Sequence, residues 1–382
     1  MTMGQLKISL KGFFVVIVLL LALPAAGHPM PNSVVNLSVS NQILRGEAKM
    51  PLTDFLIAFG TTGETLQLNS PAIRSYFSKH IRVVNPEQKT ETKIFSIEIK
   101  ESKDPIVGKY KELWVYFACY PLPSARKFTF AYDVILHQII THRILVYVNQ
   151  DWEGGLLNVP QQVGEIALDI PKGQYFPLPI DLGEGSWWKG FQSMISLGMH
   201  HIAEGSDHLL FLCVLLLPGM LIAQKNRWVS SGGISHGFKH MLGLITAFTL
   251  GHSLTLIAGV LHLIDIPESW VEIWIAISIL LSAIHAYRPL FAQQEFWIVL
   301  FFGFIHGMAF AALFNEMHLE TGQLIWSILG FNLGIECMQI LLMMVAMPLI
   351  IWISPKTYFV TFRKSGAILA GFMAIYWLWE RM

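Results

Sequence analysis

The chain has 382 residues, 53% of them hydrophobic and only 14% charged, with a mean hydropathy of +0.51. Soluble domains carry about a quarter charged residues, so much of this chain must meet something other than water. Lys+Arg and Asp+Glu are both 26, and that balance excludes the basic surface a nucleic-acid partner requires.

At the start, Lys7 and Lys11 precede an apolar run from Phe13 to Leu23, followed by Pro24-Ala25-Ala26-Gly27. A basic start, a short apolar core and small residues read as a secretory signal peptide over residues 1–27, with an uncleaved anchor as the alternative. The mature chain would then begin at His28, whose α-amine and imidazole could together hold copper or nickel. Pro29 lacks an N–H and blocks further backbone coordination. A histidine that merely starts a strand is the simpler reading of the same residue.

Residues 28–160 read as an exported, mainly-β domain. Short alternating or β-branched runs occur at Val34–Val39, Ile94–Ile99, Leu113–Cys119, Lys127–Ile135 and Arg143–Val148, with short helices at Leu52–Phe59 and Pro71–His80. That spacing predicts a small sandwich. Cys119 is the lone cysteine of this half, so no internal disulfide staples it. Residues 151–188, rich in Gly and Pro, read as a linker, assigned to 161–190 and ending near Trp187-Trp188, a pair suited to the membrane interface.

From 191 to 382 the pattern predicts an all-α polytopic membrane bundle of about six transmembrane helices, near 191–217, 238–262, 270–289, 295–314, 323–352 and 364–379. Each can cross the roughly 30 Å of hydrocarbon. The fifth is overlong and is expected to tilt or break near Pro348. Lys225, Arg227, Lys239, Arg288, Lys356, Arg363 and Lys364 fall in or beside odd-numbered loops, whereas the even loops hold Asp265, Glu268, Glu316 and Glu320. Basic loops face the cytoplasm, which leaves residues 28–190 outside an inner, bacterial-type cell membrane.

Ionisable groups inside hydrocarbon are costly and mark function. His201, Glu204 and His208 share one face if the first span is one continuous helix, with Asp207 beside it. Thr249, His252 and Ser253 follow in the second span, His306 in the fourth, and Asn332, Glu336 and Gln339 line one face of the fifth. At 1.5 Å per residue, Asp207, His208, His252, His306 and Glu336 are expected near one depth. Imidazole and carboxylate at one level suit a divalent transition metal, and glycines 303, 307 and 334 would let the helices close around it. A single such histidine would more simply be a helix–helix hydrogen bond. His285, Glu272, His262 and His318 fall nearer the interfaces.

These residues resemble the HupE/UreJ family of membrane proteins. The likeness rests on His201-x5-Asp207-His208 followed by Leu209-Leu210-Phe211-Leu212, on Gly251-His252-Ser253-Leu254-Thr255-Leu256, on Ile305-His306-Gly307 and on Phe331-Asn332-x-Gly334-Ile335-Glu336. The signal and exported domain resemble the family's longer branch. The resemblance implies uptake of nickel or another divalent metal, with Asp207 and His208 matching the His–Asp–His element of nickel permeases. The richer later histidine motif of shorter members is reduced here to His306-Gly307.

The expected function is a permease for nickel or cobalt, with zinc or copper as further candidates. The metal would be bound transiently rather than as a resident cofactor. His201 and Glu204 would form the entrance pair and Thr249, Ser253, Asn332 and Gln339 a secondary polar lining. No phosphate-binding loop of the Walker type occurs. Two alternatives are a membrane-embedded zinc hydrolase, with Ser253 beside His252, and an anchor for a metalloenzyme-assembly partner.

Overall fold

The computed structural model describes residues 32–382 except 41, 62–66, 85–88, 105–107, 123–125, 170, 225–226 and 265, together with the side chains of 158, 230, 231 and 268. The expected signal peptide over 1–27, the expected terminal ligand His28 and the loop residues Lys225 and Asp265 lie outside the described residues.

Strand alternation builds the first half. In β1 (Ser33–Ser40), Val35, Leu37 and Val39 point into the core. β2 (Ile43–Pro51) buries Leu44, Ala48 and Met50 the same way, while Arg45, Glu47 and Lys49 fill its other face and hide it from a hydropathy reading. With β4 (Glu91–Asp104), β5 (Gly108–Tyr120), β7 (Ile144–Asp151) and β8 (Leu156–Ile166) they form a sheet of order β4-β5-β2-β1-β7-β8. Among the described strands of this sheet, β1 and β7 alone pair in parallel. A second sheet has the order β11-β6-β3, from β3 (Ile81–Val84), β6 (Lys127–Tyr132) and β11 (Leu178–Asp181). Both share one core with α1 (Leu52–Phe59) and α2 (Pro71–His80), the latter capped by Ser70.

Residues 151–188 are not a linker. They supply β8, the short pair β9 (Leu168–Asp169) and β10 (Gln174–Tyr175), and β11. The Gly and Pro residues that suggested a linker are accommodated by register shifts between β7 and β8 and by the turns that follow.

Ser33, His142 and Asp54 tie the start of β1 to α1 inside this domain. His142 Nε2 stands 2.7 Å from Ser33 Oγ, and its Nδ1 stands 3.1 Å from Asp54 Oδ2. All three are buried and none lines a described cavity. The Ser33 amide also donates to Nε2 at 3.2 Å, so the arrangement is a structural clamp rather than a nucleophile and base.

The second half is helical: α3 (Trp187–Glu204), α4 (Ser206–Leu216), α5 (Ile234–Val260), α6 (Glu268–Tyr287), α7 (Glu295–Met308), α8 (Ala311–Glu316), α9 (Thr321–Ile353) and α10 (Phe359–Glu380). A hairpin of β12 (Leu221–Gln224) and β13 (Arg227–Ser231) joins α4 to α5. Among the described residues three helical segments, Ile234–Val260, Ser269–Tyr287 and Thr321–Ile353, are long and apolar enough to cross a membrane. Leu254, Phe301, Leu369 and Phe372 point outward from the bundle, as a lipid-facing surface requires.

Three of the six expected spans differ from expectation. The first is two helices, because Gly205 leaves helical geometry at φ −73°, ψ 97° and α4 restarts at Ser206. The fourth ends at Met308, and its expected last residues form α8. The fifth runs unbroken through Pro348. A long helix with packed neighbours absorbs the single hydrogen bond that proline removes.

The two halves meet directly. Trp152, at the end of β7, donates its indole N–H to Ser327 Oγ at 2.8 Å, and Gln150 Nε2 donates to the Met317 carbonyl at 2.9 Å. Ser40 Oγ donates to the His318 carbonyl at 3.2 Å. The start of α9 is thereby fixed against the sheet.

Candidate metal centre

Two helix pairs set the site. α7 lies against α5 so closely that a Cβ on Gly303 would stand 2.2 Å from the Phe248 carbonyl oxygen. α9 lies against α3 in the same way, a Cβ on Gly334 standing 2.1 Å from the Ile195 carbonyl oxygen. Backbone-to-backbone contact of this kind is how small residues hold helices together where water supplies no drive.

At the junction, four imidazoles from four helices come together: His201 of α3, His208 of α4, His252 of α5 and His306 of α7. Ring centroids are 4.7 Å apart for His201–His208, 5.1 Å for His208–His306 and 6.1 Å for His201–His252. Two imidazoles bound cis to one cation at about 2.1 Å stand about 4.5–5.3 Å apart, so His208 can share an ion with either neighbour. Among the described residues no group of three or more His, Cys, Asp or Glu side chains is drawn together tightly enough to hold a metal ion. The quartet is open.

Its nitrogens are unusual for a buried site. His201 Nε2, both nitrogens of His208, both of His252 and His306 Nε2 are buried without a hydrogen-bond partner. Buried polar atoms are normally paired, so this concentration needs a cause. His306 Nδ1 lies 2.9 Å from the Phe302 carbonyl, which can only accept; Nδ1 is therefore the protonated nitrogen and Nε2 carries the lone pair. Asn332 lies beside His252. Its amide donates to the Ile328 carbonyl at 2.8 Å, and its Oδ1 makes no hydrogen bond of good geometry.

Aromatic rings wall the quartet off. Phe310 and Phe331 pack on His201 with centroids 4.4 and 5.5 Å away, and Phe248 and Phe211 on His306 at 5.1 and 5.5 Å. Nothing in a single sequence distinguishes these phenylalanines from ordinary lipid-facing ones.

The carboxylates expected beside the histidines are elsewhere. Asp207 Oδ2 accepts from Arg381 Nη2 at 2.9 Å, and Arg381 also donates to the Glu272 carbonyl at 3.2 Å. Glu204 is exposed, on the wall of a cleft with His200 and Ser193. Glu336 accepts from Thr246 at 3.0 Å, and Gln339 accepts from Thr249 at 3.2 Å. These α5–α9 pairs lie one to two turns along α5 from His252. Ser253 donates to the Thr249 carbonyl at 2.7 Å, so its hydroxyl is used by its own helix rather than poised as a nucleophile.

The site can therefore offer neutral nitrogen lone pairs inside an apolar wall, with no thiolate, followed by a polar step of threonine, glutamine and glutamate. No curated protein and no solved structure matches the chain. The sequence model of the family described as HupE / UreJ protein matches residues 180–381, just over half of the chain and all of the residues above from His201 to Arg381. The chain belongs to the HupE/UreJ family.

Proposed function

We propose that this protein is a membrane permease for a divalent transition-metal cation, nickel or cobalt first, with His201, His208, His252 and His306 as its transient ligands. The observation that carries the reading is the set of buried imidazole nitrogens without partners on four different helices. Imidazole suits nickel, cobalt, zinc and copper, and a site without thiolate lets the ion go again. Gly205 breaks the first span at the quartet and α7 ends just past His306, which is how transporter sites are built from interrupted helices.

In this reading the α3–α4 pair counts as one span and α5, α6, α7, α9 and α10 as the others, six in all. Residues 28–190 lie outside the inner membrane after removal of a signal peptide over 1–27, as in the family's longer branch. From the quartet the ion passes to Thr249 and Gln339, then to Thr246 and Glu336. Asp207 acts through Arg381, holding the start of α4 in place, rather than as a ligand. The test is uptake by proteoliposomes from a panel of nickel, cobalt, zinc, copper and manganese. Accumulation of none of them above protein-free vesicles removes the proposal.

A further inference from the structure

The exported domain carries a second pair of histidines that the quartet does not involve. His80 ends α2, and His137 lies in the turns that follow β6. Their rings are nearly parallel, 16° apart in plane, with centroids separated by 4.7 Å. One residue orients both. His80 Nδ1 lies 3.0 Å from Asp133 Oδ1, and His137 Nδ1 lies 2.9 Å from the Asp133 backbone carbonyl. Carboxylate and carbonyl oxygens can only accept, so both Nδ1 atoms are the protonated ones. In each neutral ring the lone pair is therefore on Nε2, on the side turned away from Asp133.

Asp133 is itself fixed. Tyr175 donates to its Oδ2 at 2.5 Å, and its backbone N–H donates to the His80 carbonyl at 3.1 Å. Tyr76 packs on His80 with centroids 4.4 Å apart, its hydroxyl bonded to the Val134 carbonyl and 3.5 Å from His137 Nε2. The His80 side chain is 23% exposed, so an ion can reach it from solvent. Metal-binding histidines characteristically donate their other ring N–H to a carboxylate or backbone carbonyl, which fixes tautomer and orientation. Here both histidines do so to the same aspartate.

We propose that His80 Nε2 and His137 Nε2 form a two-histidine capture site for a divalent transition-metal cation on the exported domain, with water completing the coordination. Two imidazoles cis on one cation at about 2.1 Å stand about 4.5–5.3 Å apart, which the observed separation matches; because the rings are stacked nearly parallel, one of them must turn to aim its Nε2 at the shared ion. The site deepens the permease reading and rests on it for the choice of cation, although its geometry belongs to the exported domain alone. Water-completed coordination by two neutral ligands implies an exchangeable ion.

The test is ethoxycarbonylation by diethyl pyrocarbonate of the full chain in detergent micelles, read histidine by histidine by mass spectrometry with and without nickel(II) or cobalt(II). The reagent attacks an unprotonated ring nitrogen, which metal occupies. At metal about ten times the Kd, modification of His80 and His137 should slow by about tenfold together. In His80→Ala, His137 should lose that protection, and in His137→Ala, His80 should lose it. In His208→Ala both should stay protected even where uptake is lost, so failure of the permease and failure of this site are read separately. Unchanged modification of the pair in the parent protein with either metal overturns the proposal without any reliance on a variant's folding. So does full protection of His137 in the His80→Ala chain.

Discussion

His201 and His208 bring their ring centroids to 4.7 Å although they belong to two different helices. The chain leaves helical geometry at Gly205 between them, and a Cβ there would stand 2.7 Å from His208 Nδ1 and 2.8 Å from the His201 carbonyl oxygen. The break and the histidine pair are one feature. His208 is also the ring that neighbours His306, at 5.1 Å, so it joins the α3–α4 side of the site to the α5–α7 side.

His208→Ala should therefore abolish uptake while the protein still inserts and keeps its β domain. Loss of a ligand worth about 2.7 kcal/mol is a hundredfold in affinity. His318→Ala, remote from the quartet, should transport at the parent rate. Uptake by His208→Ala equal to the parent for every metal in the panel would show that the quartet does not carry the ion.

Helix contact is tested by Gly303→Ala. The new methyl would meet the backbone at Phe248, which cannot rotate away, so α5 and α7 must separate. We expect a loss of about 1–3 kcal/mol, read as a lower Tm in detergent, together with reduced uptake. Gly243 also lies within α5 but has nothing within 4 Å of its Cβ position, and Gly243→Ala should leave both measurements near the parent. Equal behaviour of the two variants would contradict the packing argument.

The ion pair of Asp207 with Arg381 should show coupling. Its side chains are 18% and 17% exposed, between a surface pair and a fully buried one. In a double-mutant cycle, Asp207→Asn with Arg381→Gln should be less destabilising than the two single changes summed, by about 1 kcal/mol. Strict additivity would mean that the pair does not hold α4 in place. A direct ligand role for Asp207 would instead make Asp207→Asn far worse for uptake than Arg381→Gln.

Cys119 gives a pH dependence in the N-terminal, β-rich half. Burial pushes its thiol up to about 11, partly offset by the Thr92 hydroxyl 3.3 Å away. The unfolded thiol ionises near about pH 8.5. Folding thus retains a proton that the unfolded chain releases, and stability falls as pH rises from there through the folded value. The lost contribution is roughly 3 kcal/mol by the upper end of that window. Thermal unfolding of the parent minus Cys119→Ala, measured from pH 8 to 11, should display this slope; a flat difference would refute it.

Orientation is tested by reporters. A fusion after Leu319 should be active only outside the cytoplasm and a fusion after Lys225 only inside. The reversed pair of signals would overturn the exported placement of residues 28–190 and the capture role of His80 and His137.

Much of this protein was legible in its sequence. Apolar length and the exposed outer residues require a membrane for the second half, and alternation at Val35, Leu37 and Val39 requires a strand whatever surrounds it. Buried histidines stand out because hydrocarbon makes each one costly. β2 escaped because charges fill its outer face, and β8 because Gly and Pro also occur in bulged edge strands.

Local chemistry alone determined that the chain enters a membrane, that its apolar half carries His201, His208, His252 and His306, and that glycines bring helices close. Tertiary structure decided which polar groups meet. Periodicity placed Asp207 with the histidines on the premise of one straight helix, but the turn at Gly205 and an arginine at position 381 take its carboxylate away. A Gly-Ser step permits a break without demanding one, and a pairing across 174 residues leaves no periodic trace in either segment. The same holds for His80 and His137, 57 positions apart in the numbering, which only the fold of the β-rich domain brings onto one aspartate.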